Sequence, residues 1–135
     1  MNEPSRKLLE TYYARFNALD WDGFLELLTD DVVHDINQSG REIGREAFRE
    51  FLERMDRSYS EQIVDLSITT NADGSRAAVE FTVLGVYKNT DEGLPPATGQ
   101  TYKLPAGAFF EIRDGRVARI SNYYNLQDWL KQVGA

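Results

Sequence analysis

TYKLPAGAFFEIRDGRVARISNYY, residues 101–124, reads as two strands joined at Asp114-Gly115, and its pairing decides the fold. A two-residue turn there pairs Phe110 with Arg119. A three-residue loop, with Gly115 left-handed and forming a bulge, pairs Phe110 with Ala118 and Ala108 with Ile120. The second register gathers Ala106, Ala108, Phe110, Ala118, Ile120, Asn122 and Tyr124 on one face. It leaves Glu111, Arg119 and Ser121 on the other. Register follows the burial pattern, so the second is preferred. Asn122 and Tyr124 then point inward at the open end of the hairpin, while Phe109, Val117 and Tyr123 point outward.

Moving back from the hairpin, residues 89–100 hold two prolines and two glycines and read as a long loop. Before it runs a strand from about Ser75 to Lys88, with Val79, Phe81 and Val83 on one face and Glu80 and Thr82 on the other. Asn71-Ala72-Asp73-Gly74 is a turn. Val64, Leu66 and Ile68 alternate with Asp65 and Ser67 in a further strand. The first third is different. Leu8, Leu9, Tyr12, Tyr13 and Phe16 recur at helical spacing. Asp20 is an N-cap candidate for a second helix burying Trp21, Phe24, Leu25 and Leu28. That helix stops at Thr29-Asp30-Asp31, and a short strand, Val32 to Ile36, follows. After the turn Asn37-Gln38-Ser39-Gly40, a third helix starts near Gly44 and buries Ala47, Phe48, Phe51, Leu52 and Met55. A short amphipathic helix, Leu126 to Val133, closes the chain. Helices followed by strands predict an α+β fold, with three N-terminal helices packed on one face of an antiparallel sheet and a short C-terminal helix. No repeat or linker divides residues 1–135, so one domain is expected.

The chain has 135 residues, enough for one core. It has no Cys and a single His, which excludes thiolate chemistry, Cys-ligated metal and any multi-His site. A net charge of −7 argues against nucleic acid as a partner. No apolar run approaches the ~20 residues of a membrane span. The start, MNEPSRK, is polar, and a cytoplasmic location without membrane partners is expected. Asp91-Glu92-Gly93 supplies too few ligands for Ca²⁺, so no metal is expected there.

Three stretches carry a resemblance that spans nearly the whole chain. The first is Tyr13-Ala14-Arg15-Phe16 through Thr29-Asp30-Asp31-Val32-Val33-His34-Asp35 to Gly44-Arg45-Glu46-Ala47. The second is EFTVLGVY, residues 80–87, with PPATGQ, residues 95–100. The third is RDGRV, residues 113–117, with DWLKQVG, residues 128–134. In this order they resemble the cone-shaped superfamily of nuclear transport factor two, ketosteroid isomerase and the SnoaL-like polyketide cyclases. The resemblance implies a curved sheet wrapped around a pocket, the first helix as a lid, no cofactor, and a homodimer through the outer sheet face. Family chemistry carries over only in part. The isomerase Tyr falls on Phe16 and the late-strand Asp at or beside Ala108. The isomerase base falls on Asp35 or on Ile36, depending on where the strand is anchored. The cyclase acid falls in Ser121-Asn122-Tyr123-Tyr124-Asn125, which holds no carboxylate. The Asp-Arg-Asp set of limonene epoxide hydrolases cannot be assembled, because Arg113 and Asp114 lie in a turn.

His34 and Asp35 are the catalytic candidates. An imidazole titrates near neutral pH and serves as general acid or base. Adjacent strand residues face opposite ways. With Val32 and Ile36 inward, His34 enters the pocket; with Val33 inward, Asp35 and Asn37 do. The first is preferred. Tyr13 and Tyr124 are candidate donors to a substrate carbonyl or enolate, and Asn37 and Asn122 candidate orienting amides. Phe16, Phe81 and Phe110 are expected to form apolar walls. Two functions fit: a cofactor-free isomerase- or cyclase-type pocket for a small apolar carbonyl compound, or a non-catalytic binding module of the same fold. The number of ionisable groups inside the pocket separates them.

Overall fold

The structure is a computed structural model that describes residues 1–134. Helix α1 spans Glu3–Asn17 and α2 spans Trp21–Glu26. Asp20 does cap α2: its carboxylate accepts from the Gly23 amide at 3.0 Å. Strand β1 (Leu28–Ile36) and β2 (Gly40–Ile43) form a hairpin, and α3 (Arg45–Ser58) runs directly into β3 (Tyr59–Thr70). Strands β4 (Arg76–Tyr87), β5 (Gln100–Arg113) and β6 (Arg116–Tyr124) follow, then α4 (Leu126–Gly134). The six strands make one curved sheet in the order β2-β1-β6-β5-β4-β3. Every pairing is antiparallel except β1 with β6, which run parallel. The α+β architecture expected from the order of elements is the one observed.

Four local features differ from the sequence reading, each for a physical reason. Strand β1 begins at Leu28, within the segment read as the end of α2. The Val117 amide donates to Leu27 O at 2.8 Å, and Leu28 is fully buried opposite Val117. Tertiary pairing thus overrides the polar run, while Asp30 and Asp31 reach outward to Arg45 and Arg113. Strand β2 has no apolar alternation to betray it, because it is a largely exposed edge strand. Strand β3 starts at Tyr59 and carries a bulge at Asp65, whose φ is +54°. The bulge resets the phase, so Ile63 joins Leu66 and Ile68 against the core in place of Val64. Asn17 holds this site to α1, accepting from the Ile63 amide at 2.8 Å and donating to its carbonyl at 2.9 Å.

The last hairpin corrects the preferred register. Asp114 and Gly115 form a two-residue turn with φ of +52° and +74°, the left-handed geometry such turns need. The bulge lies further on, where Ala118 and Arg119 together oppose Glu111. Phe110 therefore pairs with Ile120 and Ala108 with Asn122. Ala118 joins the outer face, and Val117, expected outside, is wholly buried. Ala106, Ala108, Phe110, Ile120, Asn122 and Tyr124 still share one face.

Candidate functional site

A cavity of about 520 Å³ lies between the helices and the concave face of the sheet, a volume in the range of small-molecule sites. His34, on β1, forms part of its wall and is only 2% exposed. Its ring stacks on Phe48 at 4.3 Å and meets the edge of Phe51 at 4.6 Å, both from α3. Its Nε2 lies 3.2 Å from the Asn122 amide nitrogen, and its Nδ1 has no partner among the described residues. Where the Asn122 amide nitrogen donates to Nε2, the ring proton sits on Nδ1; where the amide is turned over, Nε2–H donates and Nδ1 is the bare nitrogen. Burial pushes the imidazole down to about 4, opposed by the nearby Asp35 charge, so the ring is neutral at physiological pH.

Asp35 faces the other way and lies outside the cavity. Arg41 binds it through two nitrogens at 2.6 and 3.1 Å, and Arg119 adds a contact at 2.9 Å. These guanidinium contacts, Arg41 first, hold its carboxyl below the usual range. As a catalytic candidate it is corrected to an ion-pair anchor on the outer face. The alternation of β1 decides this: Val32 and His34 are buried inward.

The other candidates divide similarly. Tyr13, Phe16, Asn37, Phe81, Asn122 and Tyr124 all line the cavity. The Tyr13 hydroxyl is buried with no partner among the described residues, and burial raises it well above an ordinary phenol, so it keeps its proton. Asn37 donates to Ser121 Oγ at 3.0 Å and to the Asn122 carbonyl at 2.6 Å, so its amide nitrogen is already engaged at the strand end. Phe110 is not a wall residue. It is 1% exposed and sits behind Tyr12 and Tyr13, with ring centroids 5.3 and 6.2 Å away.

A carboxylate on the inner face of the sheet escaped the sequence reading. Glu61 stands on the inner face of β3 between Tyr59 and Ile63, and the Tyr102 hydroxyl donates to its Oε2. Burial raises its carboxyl, opposed by the bond from Tyr102. No local signal could have found it: in the phase of Val64, Leu66 and Ile68 position 61 falls outward, and only the bulge at Asp65 turns it inward. Among the described residues no group of three His, Asp or Glu is placed to hold a metal ion. No described helix is long and apolar enough to cross a membrane.

No curated protein matches the chain. Solved structures do. A protein from Xanthomonas campestris, provisionally described as a polyketide cyclase, is 54% identical with a TM-score of 0.94, covering 96% of each chain. One from Pseudomonas putida with the same description is 56% identical, TM-score 0.94, covering 96% of this chain and 97% of that one. A third, from a Silicibacter species and likewise described, is 46% identical, TM-score 0.95, covering 98% and 97%. The model of the SnoaL-like domain matches residues 9–120, a span that runs from α1 through the His34 strand to the Ile120 wall, and the chain belongs to the SnoaL-like domain family.

Proposed function

We propose that the protein is a cofactor-free enzyme of cyclase or isomerase type that binds a small, mostly apolar carbonyl compound and moves a proton with His34. The observation that carries this is one neutral imidazole and one unpartnered phenol lining a single, otherwise largely apolar cavity. The provisional cyclase description of the three similar structures supports the same reaction class. In the proposed step a bare imidazole nitrogen takes a proton from the carbon next to a carbonyl. The C–H electrons form the enolate, whose oxygen accepts a hydrogen bond from Tyr13. The enolate carbon then attacks a second carbonyl, whose oxygen takes the π electrons and then the proton from the imidazolium, or the enolate is reprotonated at another carbon by the imidazolium. A base this weak works only if the enolate is stabilised as it forms, which is the task of the buried Tyr13 hydroxyl. The step uses the tautomer in which Nε2–H donates to the Asn122 amide oxygen and Nδ1 is the bare nitrogen, with Asn122 holding the tilt of the ring.

The test is turnover of β-dicarbonyl and enone compounds. His34→Ala lowers kcat at least about tenfold, roughly 1.4 kcal/mol in the barrier, while ligand affinity changes less because the walls remain. An unchanged kcat overturns the assignment, and binding without turnover by the native chain assigns the cavity to a binding module.

A homodimer through the outer sheet face belongs to the same proposal. Phe109 and Tyr123 are 52% and 48% exposed there, with rings 5.5 Å apart. Exposed aromatics gathered on one face mark interaction surfaces. Light scattering at micromolar concentration is expected to give twice the chain mass, and Phe109→Asp to return the monomer. A monomeric native protein removes the proposal.

A further inference from the structure

We infer that the end of the cavity at Glu61 recognises a hydroxyl or protonated amine on the ligand and excludes a carboxylate, so that the ligand is a hydroxy- or amino-substituted carbonyl compound, not an acid. The inference rests on the reading of this cavity as a ligand site. Glu61 is on β3, and strands β4, β5 and β6 separate it from His34 on β1. The two groups thus enter the one cavity from different strands of its wall.

Three observations give the Glu61 end its chemistry. First, Glu61 makes no ion pair, and only its Oε2 is engaged, by Tyr102; Oε1 has no partner among the described residues and is not sealed in. A carboxyl enclosed without a cation is costly unless something donates to it. Second, its position is built. Glu61, Gly85 and Tyr102 lie side by side across three strands, and a Cβ at Gly85 would stand 2.2 Å from the Tyr102 ring. Only glycine leaves the gap through which the phenol crosses β4 to hold the carboxyl. Third, carboxylates outnumber cationic side chains around the cavity, which Asp56, Asp91 and Glu92 also line and no lysine does.

The surroundings exclude anions. Asp91 lines the same end and accepts from Tyr59 at 2.8 Å, while the one cavity arginine, Arg54, is directed to Glu42 at 3.5 Å. A ligand carboxylate would meet like charge and no free cation. A hydroxyl or ammonium would find Oε1 of Glu61 as an acceptor.

Calorimetric titration with three naphthalene probes of one shape tests this: 2-naphthylmethanol, 2-naphthylmethylamine and 2-naphthoate, at neutral pH and physiological salt. In the native protein the alcohol and the amine are expected to bind at least about tenfold tighter than the carboxylate. Glu61→Gln, checked for folding by circular dichroism, is expected to shrink that ratio at least about fivefold by removing the charge and keeping the shape. Tyr102→Phe, which keeps the carboxyl, is expected to retain the order. Equal or reversed affinities, no binding by any of the three, or an order unchanged in Glu61→Gln overturns the inference. None of the probes needs to be turned over, so that failure leaves His34 chemistry untouched. Loss of the His34 effect on kcat, conversely, leaves the probe ranking standing.

Discussion

Phe110→Ala is expected to lower the unfolding free energy by about 3–5 kcal/mol, the range for deleting a buried aromatic side chain. The ring is 1% exposed and contacts Tyr12 edge-on, with ring planes at 89°. Its pair across the hairpin is Ile120, also 1% exposed. Removing it opens a void behind the two tyrosines of α1, which are themselves tied to the sheet and cannot collapse freely. A residue of the cavity wall would behave otherwise, since a ligand-sized space is already present in front of it. Urea unfolding of Phe110→Ala and Phe81→Ala separates the two cases. The first is expected to lose more stability than the second, although the side chains are the same. Equal losses would return Phe110 to the wall.

The second large effect is with pH. In the unfolded chain an imidazole titrates near 6.5. In the fold, burial pushes His34 down to about 4. Between these values the unfolded chain holds a proton that the folded chain lacks. Stability from this group is therefore complete above pH 6.5 and is lost as pH falls toward 4. At about 1.4 kcal/mol per pH unit the interval amounts to about 3 kcal/mol. Glu61, with its raised carboxyl, acts in the opposite sense, losing stability as pH rises. Asp35, held low by its arginines, contributes above the ordinary carboxylate range and is lost in stronger acid. The difference between native protein and His34→Gln isolates the imidazole. The native chain is expected to lose about 3 kcal/mol more than the variant between pH 7 and pH 4. Parallel curves would mean that His34 is solvated.

Much of this architecture was legible because burial leaves a period in the sequence. The inward set Val79, Phe81 and Val83 of β4 was read directly from alternation, and Asp20 announced the start of α2 by cap chemistry. His34 stood out as the one imidazole on a short strand. What escaped was set by residues far away in the chain. Asp65 carries no mark of its left-handed backbone, which sits where β3 bulges against β4, two residues past the Ile63 that Asn17 holds. The bulge at Ala118 moved past Gly115 because Val117 fills a position opposite Leu28, a partner nearly ninety residues earlier. Glu61 drew no reading at all, because nothing near it in sequence reveals Tyr102 lying in the Gly85 gap.

The parallel pairing of β1 with β6 also orders events in time. Residues 28–36 cannot enter the sheet until residues 117–122 are available, so closure of this seam waits for almost the whole chain. Contacts of such long span are slow to form, because the intervening loop loses entropy before any pairing rewards it. Until then the β1–β2 hairpin has an open edge carrying Val32, Val33 and Ile36, the kind of edge that recruits other chains. The wall bearing His34 is thus among the last parts of the pocket to be assembled, and synthesis that stalls before β6 leaves a sticky hairpin in place of a site.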